Sequence, residues 1–407
     1  MASAQFPIPS SGVEQLSANG APSLEDRLRE IHNFIYANEG IKQYARVTDE
    51  VVKVIFARHT IEEKEAIDPR LDDARIAETA RAAFQAAAAA AVEIEPFEPG
   101  ESLKLSDSAI AFAMRKLCAD GLRHQDPNGV AFQTILGPTL RGELGQFFTP
   151  DPIKKLLVAM TRPAPGDVCC DPASGTAGLL LEVRKCQPLA KIVGAEVDAA
   201  LARLARLNLL FAGEERPEIH RLDALRPLGD VSHLSGGSLR GESCNVIVSN
   251  PPFGSKGKVS NPEILAEMPH VIASKKAVPP ELLFIERIVQ LLRAGGRAGI
   301  VLPIGILSNP STSHVREYLR STGRIYATVS LPAETFRPTG NSVQASIIFF
   351  EKTSKQPTGQ YPVFRAISRS VGYDHRGRVV NSSDTPQILG EWDKFRGIYR
   401  GEYPWAI

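Results

Sequence analysis

Cys244-Asn245-Val246-Ile247-Val248-Ser249, followed by Asn250-Pro251-Pro252-Phe253, decides how this chain folds. The first six residues form an apolar run that reads as a buried strand. Two consecutive prolines cannot continue a sheet, so the chain leaves it directly after Asn250. An Asn side chain is thereby held at the carboxyl end of a strand, the edge where open α/β sheets bind ligands. Its amide oxygen and the Pro251 carbonyl can both accept hydrogen bonds from an exocyclic amino group. The Phe253 ring can stack on a flat heterocycle. Alone, the same four residues also fit an ordinary strand end with a rigid turn, so the upstream sequence has to decide between the two.

Upstream, Val168-Cys169-Cys170-Asp171 reads as a strand ending in a carboxylate. The small residues Pro172-Ala173-Ser174-Gly175-Thr176-Ala177-Gly178 follow, and Leu179-Leu180-Leu181-Glu182-Val183 opens a helix. Small residues let backbone approach a ligand closely, and a helix N-terminus binds carboxylates. No Gly-Lys-Ser/Thr follows, so this is not a Walker A loop, and the spacing of the dinucleotide fingerprint is also missing. A second strand, Lys191 to Ala195, ends in Glu196 and Asp198, and acid at that place suits a ribose diol. A third, Ile219 to Leu222, ends at Asp223-Ala224-Leu225, where an Asp can accept from an adenine amino group. Each acid alone also fits a solvated loop or a helix cap. At the ends of consecutive strands they outline one nucleoside-shaped cleft.

Gly145-Gln146-Phe147-Phe148-Thr149-Pro150, the Asp171–Gly178 loop, Gly194-Ala195-Glu196-Val197-Asp198, Asp223-Ala224-Leu225 and Asn250 to Phe253 occur in that order. The order resembles the gamma-class adenine-N6 DNA methyltransferases. It is most similar to the modification subunits of type I restriction-modification systems, over roughly residues 24–352. The resemblance implies an α/β fold: a seven-stranded, Rossmann-like class I S-adenosylmethionine-dependent methyltransferase domain, closed by an antiparallel hairpin and preceded by a mostly helical N-terminal domain. It implies S-adenosylmethionine as cofactor and a duplex-DNA adenine, flipped out, as substrate. Gln146, Phe147, Phe148, Thr149, Pro150 and Asp151 match the family's segment that closes over the cofactor. Asp171 opens the cofactor loop, and Thr176, Ala177 and Gly178 match its part at the methionine moiety. Glu196 matches the ribose-binding acid and Asp223 the acid near the adenine. Asn250, Pro251, Pro252 and Phe253 match the catalytic motif, which needs no metal. The implied partners are a separate specificity subunit and, further, a restriction subunit. Three other readings stay open: an RNA guanine-N2 methyltransferase, a protein-glutamine methyltransferase (which usually carries Tyr at the aromatic position), and a non-catalytic cofactor-binding scaffold.

The 407 residues suffice for one large domain or two. No run of about 18 apolar residues points to a membrane span. The N-terminus lacks a basic start followed by an apolar stretch, and the five cysteines follow no metal-ligand pattern. A reducing cytoplasm is the expected compartment, with Cys169 and Cys170 in the core. A net charge of +1 argues against strong independent DNA binding and assigns much of the phosphate contact to another subunit.

Residues 1–22 have the composition of a disordered segment. Residues 23–141 read as a helical domain, from the spacing of Leu24, Leu28, Ile31, Phe34 and Ile35, of Val51 to Phe56, of Ile110 to Leu117 and of Val130 to Leu140. Ala86 to Ala91 adds helix propensity. Residues 142–352 form the expected methyltransferase domain. Within it lie a basic loop at Gly254 to Lys258, a stretch with Lys275 and Lys276 able to close over a base or touch phosphates, and a helix from Glu281 ended by Gly295-Gly296. Arg297 to Leu302, Arg324 to Leu331 and Val343 to Phe350 read as further strands. In the tail, 353–407, Trp392, Phe395, Tyr399, Tyr403 and Trp405 either anchor a partner or cover the chain's own sheet, with covering favoured.

Overall fold

The computed structural model describes residues 24–41, 44–62, 68–90, 97, 100–118, 149–252, 257–337, 343–401 and 403. The expectations for residues 1–22, Val130 to Leu140, Gln146, Phe147, Phe148, Phe253, the Gly254 to Lys256 part of the basic loop and Trp405 lie outside them.

The centre is a sheet of eight strands: β1 (Val168–Asp171), β2 (Lys191–Glu196), β3 (Glu218–Arg221), β4 (Cys244–Ser249), β5 (Leu292–Pro303), β6 (Gly323–Ser330), β7 (Ala345–Lys352) and β8 (Phe364–Ile367). Their order is β3-β2-β1-β4-β5-β7-β6-β8. The first five run parallel, and β7 is inserted antiparallel between β5 and β6. The seven expected strands are all present, and β8 from the tail adds an eighth, parallel to β6.

Every residue of β4 is buried because both faces of the sheet are covered, which is why the strand reads as a continuous apolar run. Val246 and Val248 enter the core on one face, and Ile247 enters the core on the other. Cys169 and Cys170 divide between the same two cores, and burial pushes the Cys169 thiol up to about 12, so it behaves as an inert apolar residue.

One expected boundary moves. The helix before β5 runs Pro280–Leu291 and ends short of the glycine pair; Gly295 and Gly296 lie inside β5. They form a bulge: Cys244 pairs with Leu292, but Val246 pairs with Arg297. Gly295 has φ +77°, and a Cβ on Gly296 would come within 2.8 Å of the Arg293 carbonyl oxygen. Glycine is required there by the strand's irregularity and does not mark a helix cap.

Four N-terminal helices, α1 (Leu24–Asn38), α2 (Tyr44–Glu62), α3 (Asp73–Ala90) and α4 (Asp107–Cys118), share a core with one face of α7 (Ala199–Phe211). Between α4 and α7 come α5 (Asp151–Thr161) and α6 (Gly178–Cys186). Leu201, Leu204, Leu207 and Phe211 of α7 face the N-terminal helices, while Ala202, Ala205 and Leu209 face the sheet. Arg203, also on α7, bonds Asp49 at 2.5 Å and Glu101 at 3.0 and 3.1 Å, which ties the two cores together. The tail supplies β8 and a final helix, Thr385–Ile398. Trp392 and Tyr403 are fully buried against Tyr326 of β6, and the Arg324 guanidinium lies 4.4 Å over the Tyr403 ring.

Candidate active site

Strand order reverses between β1 and β4: β2 and β3 lie on one side of that pair, β5 on the other. The crevice outside the carboxyl ends of strands at such a switch point is where open α/β sheets bind ligands. Asp171 ends β1, Glu196 ends β2, Asp223 follows β3 by two residues, and Asn250 follows β4 directly. The four acid and amide positions therefore line one edge of the sheet.

Asp171 is buried. Its Oδ1 accepts from the Ala173 amide at 3.0 Å and from the Ser249 hydroxyl at 2.7 Å. Burial pushes its carboxyl up to about 7, against those two hydrogen bonds, and the nearby Glu196 charge adds to the rise. The Glu196 carboxyl is likewise raised, first by burial, although its oxygens accept from the Gly175 and Asp198 amides at 2.9 Å each. Each carboxylate oxygen carries two acceptor sites, so Asp171 keeps Oδ2, and Glu196, which also bonds the Val197 amide, keeps part of its capacity for a further donor. Asp198 caps α7 by accepting from the Ala200 and Leu201 amides. Asp223 is half-buried and accepts from the Leu225 amide at 2.9 Å, a local turn that leaves its second oxygen available.

The loop between β1 and α6 is drawn tightly against β2. Ser174 donates from its amide to the Ala195 carbonyl at 2.9 Å, and Gly175 takes φ +53° with open space where a Cβ would stand. Ala177, at the helix N-cap, is also left-handed at φ 64°. A non-glycine residue in that region costs free energy and persists only where its surroundings hold it. Here Thr176 and Ala177 are buried, and the Asn208 side chain of α7 donates to the Thr176 carbonyl at 2.9 Å. Gly178 is half-buried as the first residue of α6.

Asn250 is half-buried, and its Nδ2 donates to Thr149 Oγ1 at 3.1 Å. Its Oδ1 is buried and has no hydrogen-bond partner among the described residues. Pro251 is buried and Pro252 exposed. Pro150 is buried and precedes α5, whereas Asp151 is exposed and pairs with Lys154 of its own helix. Of the sequence-predicted site residues, Thr149, Asp171, Thr176, Ala177, Gly178, Glu196, Asp223, Asn250 and Pro251 thus lie at or beside the carboxyl edge; Asp151 is turned to solvent.

Sequence reasoning missed Ser249, Asn208 and Val197. Ser249 was legible only as the last residue of a strand. Asn208 is the one polar residue in the run Leu207 to Phe211 and was readable as an anomaly. Val197, between the two acids after β2, is 62% exposed, an apolar side chain at the surface beside Glu196.

This sheet, with its helical flanks and antiparallel hairpin, is the fold of class I S-adenosylmethionine-dependent methyltransferases. A structure of the type I restriction-modification system methyltransferase subunit from Streptococcus thermophilus superposes with a TM-score of 0.67 at 18% identity, over 91% of this chain and 92% of that one. A chain from a structure of the type I R-M system superposes at 0.62 with 19% identity, over 93% and 83% of the two chains. The chain belongs to the N-6 DNA methylase family, whose profile matches residues 132–401 and so includes the tail. Among curated proteins, the EcoKI methylase subunit of the type I restriction enzyme from Escherichia coli K12 is 29% identical over 227 residues, 51% of this chain and 40% of that protein. The chain therefore matches well under half of that relative's length.

Proposed function

We propose that the protein is a DNA adenine-N6 methyltransferase that uses S-adenosylmethionine, acting as the modification subunit of a type I restriction-modification system. The observation that carries this reading is the buried, unpartnered Oδ1 of Asn250 at the switch point. An unsatisfied buried acceptor costs about 1–3 kcal/mol, so a site that keeps one open is matched to a donor that arrives with a ligand. An exocyclic amino group is such a donor. Family membership narrows the amino group to that of adenine in DNA.

S-adenosylmethionine, when bound, supplies an electrophilic methyl group on a sulfonium. The chain's residues fit it. Glu196 keeps acceptor capacity for the two ribose hydroxyls, the open space at Gly175 admits close approach, and exposed Val197 offers an apolar surface to a flat ring. Asp223 is placed to accept from an adenine amino group, and Asp171 presents a carboxylate toward positive charge. On the substrate side, Asn250 Oδ1 and the Pro251 carbonyl accept from the amino group. This holds its lone pair toward the methyl, and Phe253 stacks on the flipped base. Positioning of this kind supplies most of the rate enhancement required. Gln146, Phe147 and Phe148 belong to the segment that closes over the cofactor. DNA, a specificity subunit and a restriction subunit are the partners.

The direct test incubates the purified chain with labelled S-adenosylmethionine and, in parallel, duplex DNA or RNA, with and without the specificity subunit, followed by nucleoside mass spectrometry. N6-methyladenine supports the reading. Label in guanine of RNA, or none in any nucleic acid, removes it.

A further inference from the structure

We infer that Thr149 is a positioning residue: it fixes the Asn250 amide so that the oxygen, and not the nitrogen, faces the incoming amino group. The inference rests on the methyltransferase reading and names the residue that makes its acceptor usable. An Asn amide has two faces of opposite hydrogen-bonding sense, separated only by a rotation about a soft torsion. Turned the wrong way, it would present N–H groups to N–H groups. In the structure Asn250 Nδ2 is occupied by Thr149 Oγ1 at 3.1 Å, and Oδ1 is left buried and open.

The two partners lie 101 residues apart in sequence, yet both are held stiffly in the same way. Each directly precedes a proline, Pro150 and Pro251, and a residue before proline is confined to extended backbone. The Pro150 carbonyl accepts from the Ile153 and Lys154 amides, which seats Thr149 immediately ahead of the first turn of α5. Asn250 is seated by β4, whose last residue is bonded to Asp171. The hydroxyl and the amide therefore meet from two rigid elements. Rigid support from an outer residue is what holds a reacting group in productive orientation.

The experiment compares Thr149→Val, which keeps shape and loses the acceptor, with Thr149→Ser, which keeps it. Single-turnover methyl transfer is measured at saturating S-adenosylmethionine and DNA, cofactor affinity by calorimetry, and the Asn250 side-chain amide by NMR of 15N-asparagine-labelled protein, assigned with Asn250→Asp. Thr149→Val is expected to slow transfer about tenfold or more at saturating cofactor, beyond any change in cofactor affinity that arises because Thr149 also belongs to the segment matched to the cofactor. Its Asn250 amide signal should shift and its protons exchange faster. Thr149→Ser should restore both. An unchanged Asn250 amide signal in Thr149→Val overturns the inference, as does a rate loss explained wholly by weaker cofactor binding. Failure of the unaltered protein to methylate DNA would instead remove the methyltransferase reading, and the NMR comparison would still decide whether Thr149 holds the amide.

Discussion

The Ser249 hydroxyl donates to Asp171 Oδ1 at 2.7 Å, so the residue immediately before Asn250 is bonded to the carboxylate that ends β1. Two strands that contribute opposite halves of the candidate site are thereby fixed to each other at their carboxyl ends. The acid involved is fully buried and carries a carboxyl raised to about 7.

Cofactor affinity should consequently rise with pH through about 7, because the ionised Asp171 attracts a cationic ligand and the protonated one does not. Without ligand the sign is opposite. The unfolded chain releases this proton near pH 4, the folded protein near 7. The folded form thus binds the extra proton between those values, and stability from this group, fully present below about pH 4, is lost as pH rises toward about 7. Ser249→Ala removes a hydrogen bond that lowers the carboxyl's pKa, so it should move the binding midpoint to higher pH. Calorimetric titration from pH 5 to 9 measures it; a midpoint unmoved in Ser249→Ala would mean that another group titrates.

Glu196 is expected to matter twice. Its carboxylate holds the Gly175 and Asp198 amides as well as offering acceptors to ribose. Glu196→Ala should weaken S-adenosylmethionine binding at least about tenfold, since a hydrogen bond to a charged group contributes about 1.5–3 kcal/mol. It should also lower thermal stability, because two amides lose their acceptor. Gly178→Val should block the methionine end by bulk. Calorimetry that finds normal affinity in both proteins would show the cofactor cleft to be elsewhere.

Asn250→Ala should abolish turnover while leaving cofactor affinity near normal. Its partner Thr149 keeps a hydroxyl that water can satisfy, so the fold should survive. Methyl transfer at the normal rate by Asn250→Ala would refute the proposed chemistry.

Much of this site was legible because its residues sit where strands stop. Asn250 is betrayed by two prolines, and Asp171 and Glu196 by apolar runs that end in acid. The bonds that organise them were not legible. Ser249 reaches Asp171 over 78 residues, and nothing local to either position encodes the meeting. The fold shows the same division. The buried parallel strands announced themselves by apolar content, but β8 is only Phe-Arg-Ala-Ile at a sheet edge, too short for periodicity to register. The Gly295-Gly296 pair read as a helix stop, because a bulge and a cap ask for the same residue.

Arg203 should anchor the N-terminal helices to the sheet through Asp49 and Glu101, with side-chain exposure of 20% against 36% and 15%. These pairs are partly solvated, so Arg203→Ala should cost about 1–2 kcal/mol, well below the figure for a fully buried pair. Differential scanning calorimetry should show a midpoint lowered by a few degrees. An unchanged midpoint would leave the apolar stripe of α7 as the whole attachment.

DNA binding by the isolated chain should be weak, steeply salt-dependent and independent of sequence. The chain is nearly neutral at +1, which argues against strong binding by the chain alone. Some of its cations lie close to the Asn250 motif. After Asn250 the chain makes an excursion closed by a bridge between Val259 and Val278, and Lys258, Lys275 and Lys276 are exposed on it. Ala273 and Ser274, both left-handed, form the turn that presents the last two. Three phosphate contacts would give a slope of log affinity against log salt of about −3, and Lys275→Ala with Lys276→Ala should reduce it to about −1. A specificity subunit should then confer tight binding and methylation at one defined sequence, because base-edge contacts carry specificity and phosphate contacts do not. Anisotropy titrations across salt concentrations measure the slope, and sequencing the methylated bases in cells that express this chain alone tests the dependence on a partner. A single fully methylated motif in those cells would show that the chain reads sequence unaided, and the separate specificity subunit would have to be given up.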